Sequence, residues 1–228
     1  MNRIRRLVLA ALAAASLAAG TAHAQLYTLL QPPQPMDGSG KVEVIEFFSY
    51  ACGHCYKLEP FLESWAKNLP ADVVFKRVPG VGSASWSQLG LLYYSLEAMG
   101  KLDPVHVKAF DAIHKENTNL ANPKVRESWL AGQGIDPAQY NAVEKSFTVQ
   151  SKLSRANQLM GAYKVDGVPM LIVNGKYVTS TSHAGGPERV IPVVEQLIAM
   201  ARRDMGTAAP EAAKAATPKP APAAPAKK

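Results

Sequence analysis

Val42–Phe48 reads Val-Glu-Val-Ile-Glu-Phe-Phe, and after Ser49-Tyr50-Ala51 comes Cys52-Gly53-His54-Cys55. An apolar run rich in β-branched and aromatic residues predicts a buried strand, a short turn follows, and the cysteines stand where a helix begins. They are the only cysteines in the chain. Two thiols separated by two residues at a helix start can close into a small disulfide ring. The partial positive charge of the helix end favours a thiolate on the first of them. This points to redox chemistry.

Two other uses of the pair are weaker. A purely structural disulfide over so short a loop removes little entropy from the unfolded chain. Half of a zinc site needs two further ligands, and no second cysteine pair exists, while His106, His114 and His183 are scattered along the chain. Thiol–disulfide exchange remains, in which exposed Cys52 attacks or is attacked and Cys55 resolves the mixed disulfide. His54 lies between the thiols, where it can donate a hydrogen bond or positive charge to the Cys52 sulfur. Gly53 brings no charge and lets backbone amides approach that sulfur.

Glu46 falls in a strand expected to be covered on both faces, where a carboxylate is costly unless paired or protonated. It is therefore a candidate proton acceptor for buried Cys55, unless the strand is an edge with Glu46 in water. Glu59 and Lys76 could complete a polar cluster beneath the thiols, but each reads first as a solvated surface position, as do His106, His114 and His183.

The chain has 228 residues and a formal charge of +7. Arg3, Arg5 and Arg6 precede an apolar Leu7–Ala19 segment that ends in Ala22-His23-Ala24, which predicts a secretory signal peptide over residues 1–24. The protein is then expected to work in an oxidising compartment, where disulfides persist. The signal carries three arginines and no acid, and Thr207–Lys228 carries four lysines against Glu211, so the part between them retains only +1. A basic nucleic-acid-binding core is excluded on that ground. The Ala/Pro/Lys tail, 207–228, is expected to be disordered.

Between these ends, Leu26–Leu30 reads as a short edge strand, followed by the Val42 strand. Leu58, Phe61, Leu62, Trp65 and Leu69 form one helical face interrupted by Pro60, and Val73–Val78 is a second strand. Strand, helix and strand at this spacing predict a βαβ unit with parallel strands, occupying 25–84. Residues 85–163 read as an all-helical insertion of four or five helices. Asp103-Pro104, Asn122-Pro123 and Asp136-Pro137 look like capped helix starts. Over 164–206, Met170–Val173, an Asn174-Gly175 type I′ turn and Lys176–Val178 predict a hairpin. A last amphipathic helix starts near Pro187 or Pro192 and buries Val190, Val194, Leu197, Ile198 and Ala201.

Val44-Ile45-Glu46-Phe47-Phe48-Ser49, Cys52-Gly53-His54-Cys55-Tyr56, Gly167-Val168-Pro169 and Val173-Asn174-Gly175-Lys176-Tyr177 together resemble the thioredoxin superfamily. Within it the chain resembles the DsbA family of periplasmic thiol–disulfide oxidases, over Gln25 to about Met200. The resemblance implies an α/β thioredoxin fold, a mixed sheet with flanking helices, carrying an all-helical insertion. It further implies a cis Val168–Pro169 bond facing the disulfide, Glu46 buried beneath it, and a groove in which Val168 and Pro169 take extended polypeptide. No organic cofactor is implied beyond the Cys52–Cys55 disulfide. The implied partners are unfolded exported proteins with free thiols and a membrane quinone-linked reoxidase of the DsbB type, with the protein acting as a monomer. Two features depart from the family's best-known members. Gly53-His54 stands where they carry Pro-His, and Pro60 resembles the kinking proline of thioredoxins. The alternatives are a reductase or isomerase of the same fold, or a non-catalytic metallochaperone or holdase.

Overall fold

The computed structural model describes residues 25–36 and 40–206, so the expected signal peptide and Ala/Pro/Lys tail lie outside the described residues. In chain order the elements begin with β1 (Thr28–Leu29), β2 (Val42–Phe48), α1 (Gly53–Ala66) and β3 (Val73–Pro79). Five helices follow: α2 (Ala84–Ala98), α3 (Leu102–His114), α4 (Pro123–Gly132), α5 (Pro137–Glu144) and α6 (Phe147–Ala162). The chain then forms β4 (Met170–Val173), β5 (Tyr177–Ser180), a single turn α7 (Thr181–Ala184) and the long α8 (Pro187–Asp204).

The sheet order is β1-β5-β4-β2-β3. β2 and β3 pair in parallel from Val42 opposite Val73 to Phe48 opposite Pro79, and α1 supplies the crossover that parallel strands require. The antiparallel β4–β5 hairpin adds to the other side of β2, and β1 closes the edge against β5. β2 is thus an interior strand, between β4 and β3, and all seven of its residues are buried. Strand alternation sends Val42, Val44 and Glu46 to one face and Glu43, Ile45 and Phe47 to the other. Val42 and Val44 join Leu58 and Leu62 of α1 and Val190, Val194, Leu197 and Ile198 of α8 in one core. Ile45 and Phe47 join the helical insertion in a second, through Leu92, Leu96, Phe110 and Tyr163.

Local details bear out some expectations and correct others. Asn122 and Asp136 do cap α4 and α5, each accepting backbone N–H bonds at 2.8–3.3 Å. Asp103 does not cap, because the chain reverses on Gly100 at φ 64° and enters α3 at once from Lys101. Asp103 then sits in the first turn, where its charge suits the helix dipole, and Pro104 forgoes only an amide that lacks an intrahelical acceptor there. In the hairpin, Asn174 and Gly175 have φ of 55° and 64°, as a type I′ turn requires. The ladder nevertheless pairs Val173 with Tyr177, so Lys176 belongs to the connection and not to β5. α8 starts at Pro187, leaving Pro192 inside it, and α7, one turn long, carries too little periodicity to be foreseen. Finally, Phe61 turns outward, 39% exposed, while Leu58 and Leu62 are fully buried and α1 continues past Pro60 to Ala66.

Candidate active site

The end of β2 delivers the chain into a turn in which Cys52 N–H bonds Ser49 O at 2.9 Å, and Cys52 becomes the N-cap of α1. Serine, threonine or an Asx residue normally fills that position because its side chain accepts a free amide of the first turn. Here sulfur does so, with Cys55 N donating to Cys52 Sγ at 3.2 Å. Cys52 Sγ in turn lies 3.3 Å from Val168 O, towards which it donates. The Cys52 thiol is lowered to about 6, first by the hydrogen bond from the Cys55 thiol, which burial opposes. The amides of Cys55 and His54 and the charge of His54 add to the lowering. His54 is exposed. A Cβ at Gly53 would meet nothing within 4 Å, so a larger residue could stand there without displacing the amides that approach the sulfur.

Cys55 is fully buried, and burial holds its thiol far above the ordinary range, reinforced by its bond to Cys52 and the charge of Glu46. The two sulfurs are therefore opposites, one a ready thiolate and the other a reluctant one.

Glu46, 1% exposed, stands on the sheet face beneath this pair, and β3 places Arg77 directly opposite it. Arg77 Nε lies 3.2 Å from Glu46 Oε2, and Arg77 Nη2 donates to Glu59 Oε1 at 2.7 Å. Burial raises the Glu46 carboxyl to about 8 despite Arg77, and raises Glu59 to about 7 for the same reason. One guanidinium thus holds two buried carboxyls, neither of which ionises as readily as an exposed acid.

Glu59 is not the solvated residue expected from sequence: the buried stripe of α1 includes it, next to Leu58 and Leu62. His106 and His114 are likewise not surface positions. His106 is 5% exposed with Nδ1 2.8 Å from the Tyr50 hydroxyl, and burial lowers its pKa to about 3, leaving it neutral. His114 stacks on Tyr56 and places Nε2 2.8 Å from Tyr50 O. His183 is half-buried against Ser180 Oγ. Lys76 pairs with buried Glu43, on the sheet face opposite Glu46. Arg77 itself went unread, yet a signal exists: Glu46 and Arg77 each stand fifth in strands that pair in register.

The Val168–Pro169 peptide bond is cis, and Pro169 is buried beside Cys52. A cleft of about 210 Å³ opens there, with His54 on one wall and Gly167, Val168 and Thr179–His183 on the other. Among the described residues, no three His, Cys, Asp or Glu side chains come together as metal ligands would.

The family model described as a DSBA-like thioredoxin domain matches residues 62–186, and the thioredoxin model matches 35–85. The thiol:disulfide interchange protein DsbA of Bordetella parapertussis is 44% identical over 203 residues, covering 87% of this chain and 97% of that protein. The protein of that name from Pseudomonas aeruginosa is 41% identical over 202 residues, covering 86% and 96%. The crystal structure of Pseudomonas aeruginosa DsbA superposes with a TM-score of 0.76 at 39% identity, covering 80% of this chain and 95% of that one.

Proposed function

The chain belongs to the DSBA-like thioredoxin-domain family of thiol:disulfide oxidoreductases, and we propose that it is an oxidase, donating its Cys52–Cys55 disulfide to newly exported proteins. The observation that carries this reading is the opposition of the sulfurs, Cys52 lowered to about 6 at the α1 N-terminus and Cys55 buried and held protonated. A disulfide is a strong oxidant when its reduced form is stabilised, and a thiolate bonded by the helix end does that.

In the forward reaction a substrate thiolate attacks Cys52 Sγ, the Cys52–Cys55 bond breaks, and Cys55 leaves with the electron pair. Glu46, held largely protonated near neutral pH, gives Cys55 its proton. A second substrate thiolate then attacks the substrate sulfur of the mixed disulfide and Cys52 departs as a thiolate, needing no proton. The substrate has lost two electrons and the protein carries a dithiol. His54 adds charge beside Cys52, Gly53 leaves the sulfur open, and the Val168 backbone with Pro169 offers an edge for extended polypeptide in the cleft. The redox disulfide is the sole group required. Return to the disulfide form needs an electron acceptor, which we assign to a membrane quinone-linked reoxidase of the DsbB type. We take the protein to act in the periplasm as a monomer.

Equilibration of the Cys52–Cys55 pair with glutathione tests the reading. A potential above about −180 mV, the range of oxidising family members and isomerases, is expected. A value near that of thioredoxin, about −270 mV, would make the protein a reductase.

A further inference from the structure

Beyond the pair and Glu46, the molecule buries a polar chain that the proposed reaction leaves unused. The Tyr50 hydroxyl meets His106 Nδ1 at 2.8 Å, and His106 Nε2 faces Glu59 Oε2 at 3.4 Å. Glu59 Oε1 takes the Arg77 bond, and Arg77 reaches Glu46. Glu59 Oε2 and His106 Nε2 have no hydrogen-bond partner of good geometry, and both residues are at least nine-tenths buried. Unsatisfied buried atoms are rare enough to need a reason. Here Glu59, Arg77 and His106 also line a cleft of about 280 Å³ between α1 and α3, and Glu59 borders a second cleft between the same helices.

We propose that His106 is a positioning residue for Cys55 chemistry: held by Tyr50, its Nε2 stands 3.4 Å from Glu59 Oε2, close enough to donate once that carboxyl ionises, and so keeps Glu59 able to take on the Cys55 proton from Glu46. The α1–α3 cleft is the route by which that proton leaves. The inference rests on the role of Glu46 given above. A tyrosine hydroxyl donating to Nδ1 leaves the ring proton on Nε2, aimed at the carboxylate. Hydrogen bonding to the ionised form favours it against burial.

The step is ring closure. From a mixed disulfide of Cys52 with glutathione, Cys55 loses its proton to the Glu46 carboxylate. Its sulfur attacks Cys52 Sγ, the Cys52–Cys55 bond forms, and glutathione leaves as a thiolate with the electron pair. The proton passes on to Glu59 and then to solvent. Other charges face Glu59. Lys57, Glu63 and Lys67 lie on its own helix, and Arg77 and Glu46 are on the sheet. Asp103, Asp111 and Lys115 border the clefts from α3. His106 differs from all of these in being neutral, with the Tyr50 hydroxyl fixing its ring at Nδ1.

The test follows closure of the Cys52–glutathione mixed disulfide, formed from oxidised glutathione, across pH 5 to 9. His106→Leu should move the midpoint of the rate profile upward by about one pH unit, since the carboxylate loses its donor. His106→Gln, whose amide N–H can reach Glu59, should bring it back. Because His106 acts through Glu59, adding His106→Leu to Glu59→Gln should change nothing further. A rate reduced by one constant factor at every pH, or a double variant shifted beyond Glu59→Gln, would overturn the proposal and leave His106 a packing residue. Should His106→Leu not fold, Tyr50→Phe must give a smaller upward shift or the idea fails. Glu46→Gln separates the two levels. If it leaves closure unchanged at all pH values, the reading of Glu46 falls and this inference falls with it.

Discussion

At the scale of single residues, the division of labour between the sulfurs has a direct consequence. Cys55→Ala should accumulate mixed disulfides on Cys52 that nothing resolves, whereas Cys52→Ala should form almost none. Non-reducing gels of the two variants incubated with thiol-bearing protein would show it, and equal trapping would reverse the assignment. Glu46 gives a second expectation. Its folded pKa, about 8, lies above the ordinary 4.5. The folded protein therefore holds a proton that the unfolded chain has released, and this contribution is fully present below pH 4.5 and lost as pH rises through 8. Glu46→Gln, neutral at every pH, should match the parent near pH 4 and exceed its stability by about 4–5 kcal/mol at pH 8.5, about 1.4 kcal/mol for each unit between the two pKa values. Urea titrations at both values would check it. The thiols and Glu46 were legible in the sequence because spacing and strand context mark them. Glu59 and His106 were not, since a carboxylate or imidazole reads as exposed until a partner is in view, and Arg77 becomes visible only with the β2–β3 register.

At the scale of elements, short-range chemistry was legible where one residue decides it. Asn122-Pro123 and Asp136-Pro137 join an extended-backbone cap to a proline with a helical φ, and each opens a helix at that proline. Asp103-Pro104 carries the same letters but follows a left-handed Gly100, and that backbone reversal overrides the cap. α7 was invisible because a four-residue turn capped by Ser180 has no periodicity to read. The cap of α4 supplies a prediction. Asn122→Ala removes the acceptor for Lys124 and Val125 N–H and should cost about 1 kcal/mol. α4 packs on α5, whereas the insertion meets α1 through α3, where Phe110 and His114 lie against Tyr56, so the pH at which Cys52 ionises should stay where it is. A displaced thiol titration would mean that the helical insertion tunes the sulfur from a distance.

At the scale of the whole molecule, one cycle links folding to redox chemistry. Only the reduced protein carries a Cys52 thiol, so only its stability follows that group's titration. The folded pKa, about 6, is depressed below the ordinary 9.0. The stabilisation is fully present above the unfolded pKa and is lost as pH falls through 6. Between pH 4 and pH 8 this amounts to about 3 kcal/mol if the sulfur were shielded from water. Cys52 is only half-buried, and solvent screening brings the figure to about 1–2 kcal/mol. The disulfide ring contributes about 2 kcal/mol to the oxidised form through unfolded-chain entropy, but that term does not vary with pH. The raised pKa of Cys55 enters only as pH passes the unfolded value, so the window closes at pH 8. Relative to the oxidised protein, the reduced protein should therefore gain about 1–2 kcal/mol from pH 4 to pH 8 in paired urea titrations. The same free energy must appear in the redox couple. At roughly 30 mV for 1.4 kcal/mol, the Cys52–Cys55 potential should rise by about 20–45 mV relative to a thiol that stays protonated across this window. A gap that stays constant, or that shifts towards the oxidised form, would mean that Cys52 is not the stabilised thiolate on which disulfide donation depends.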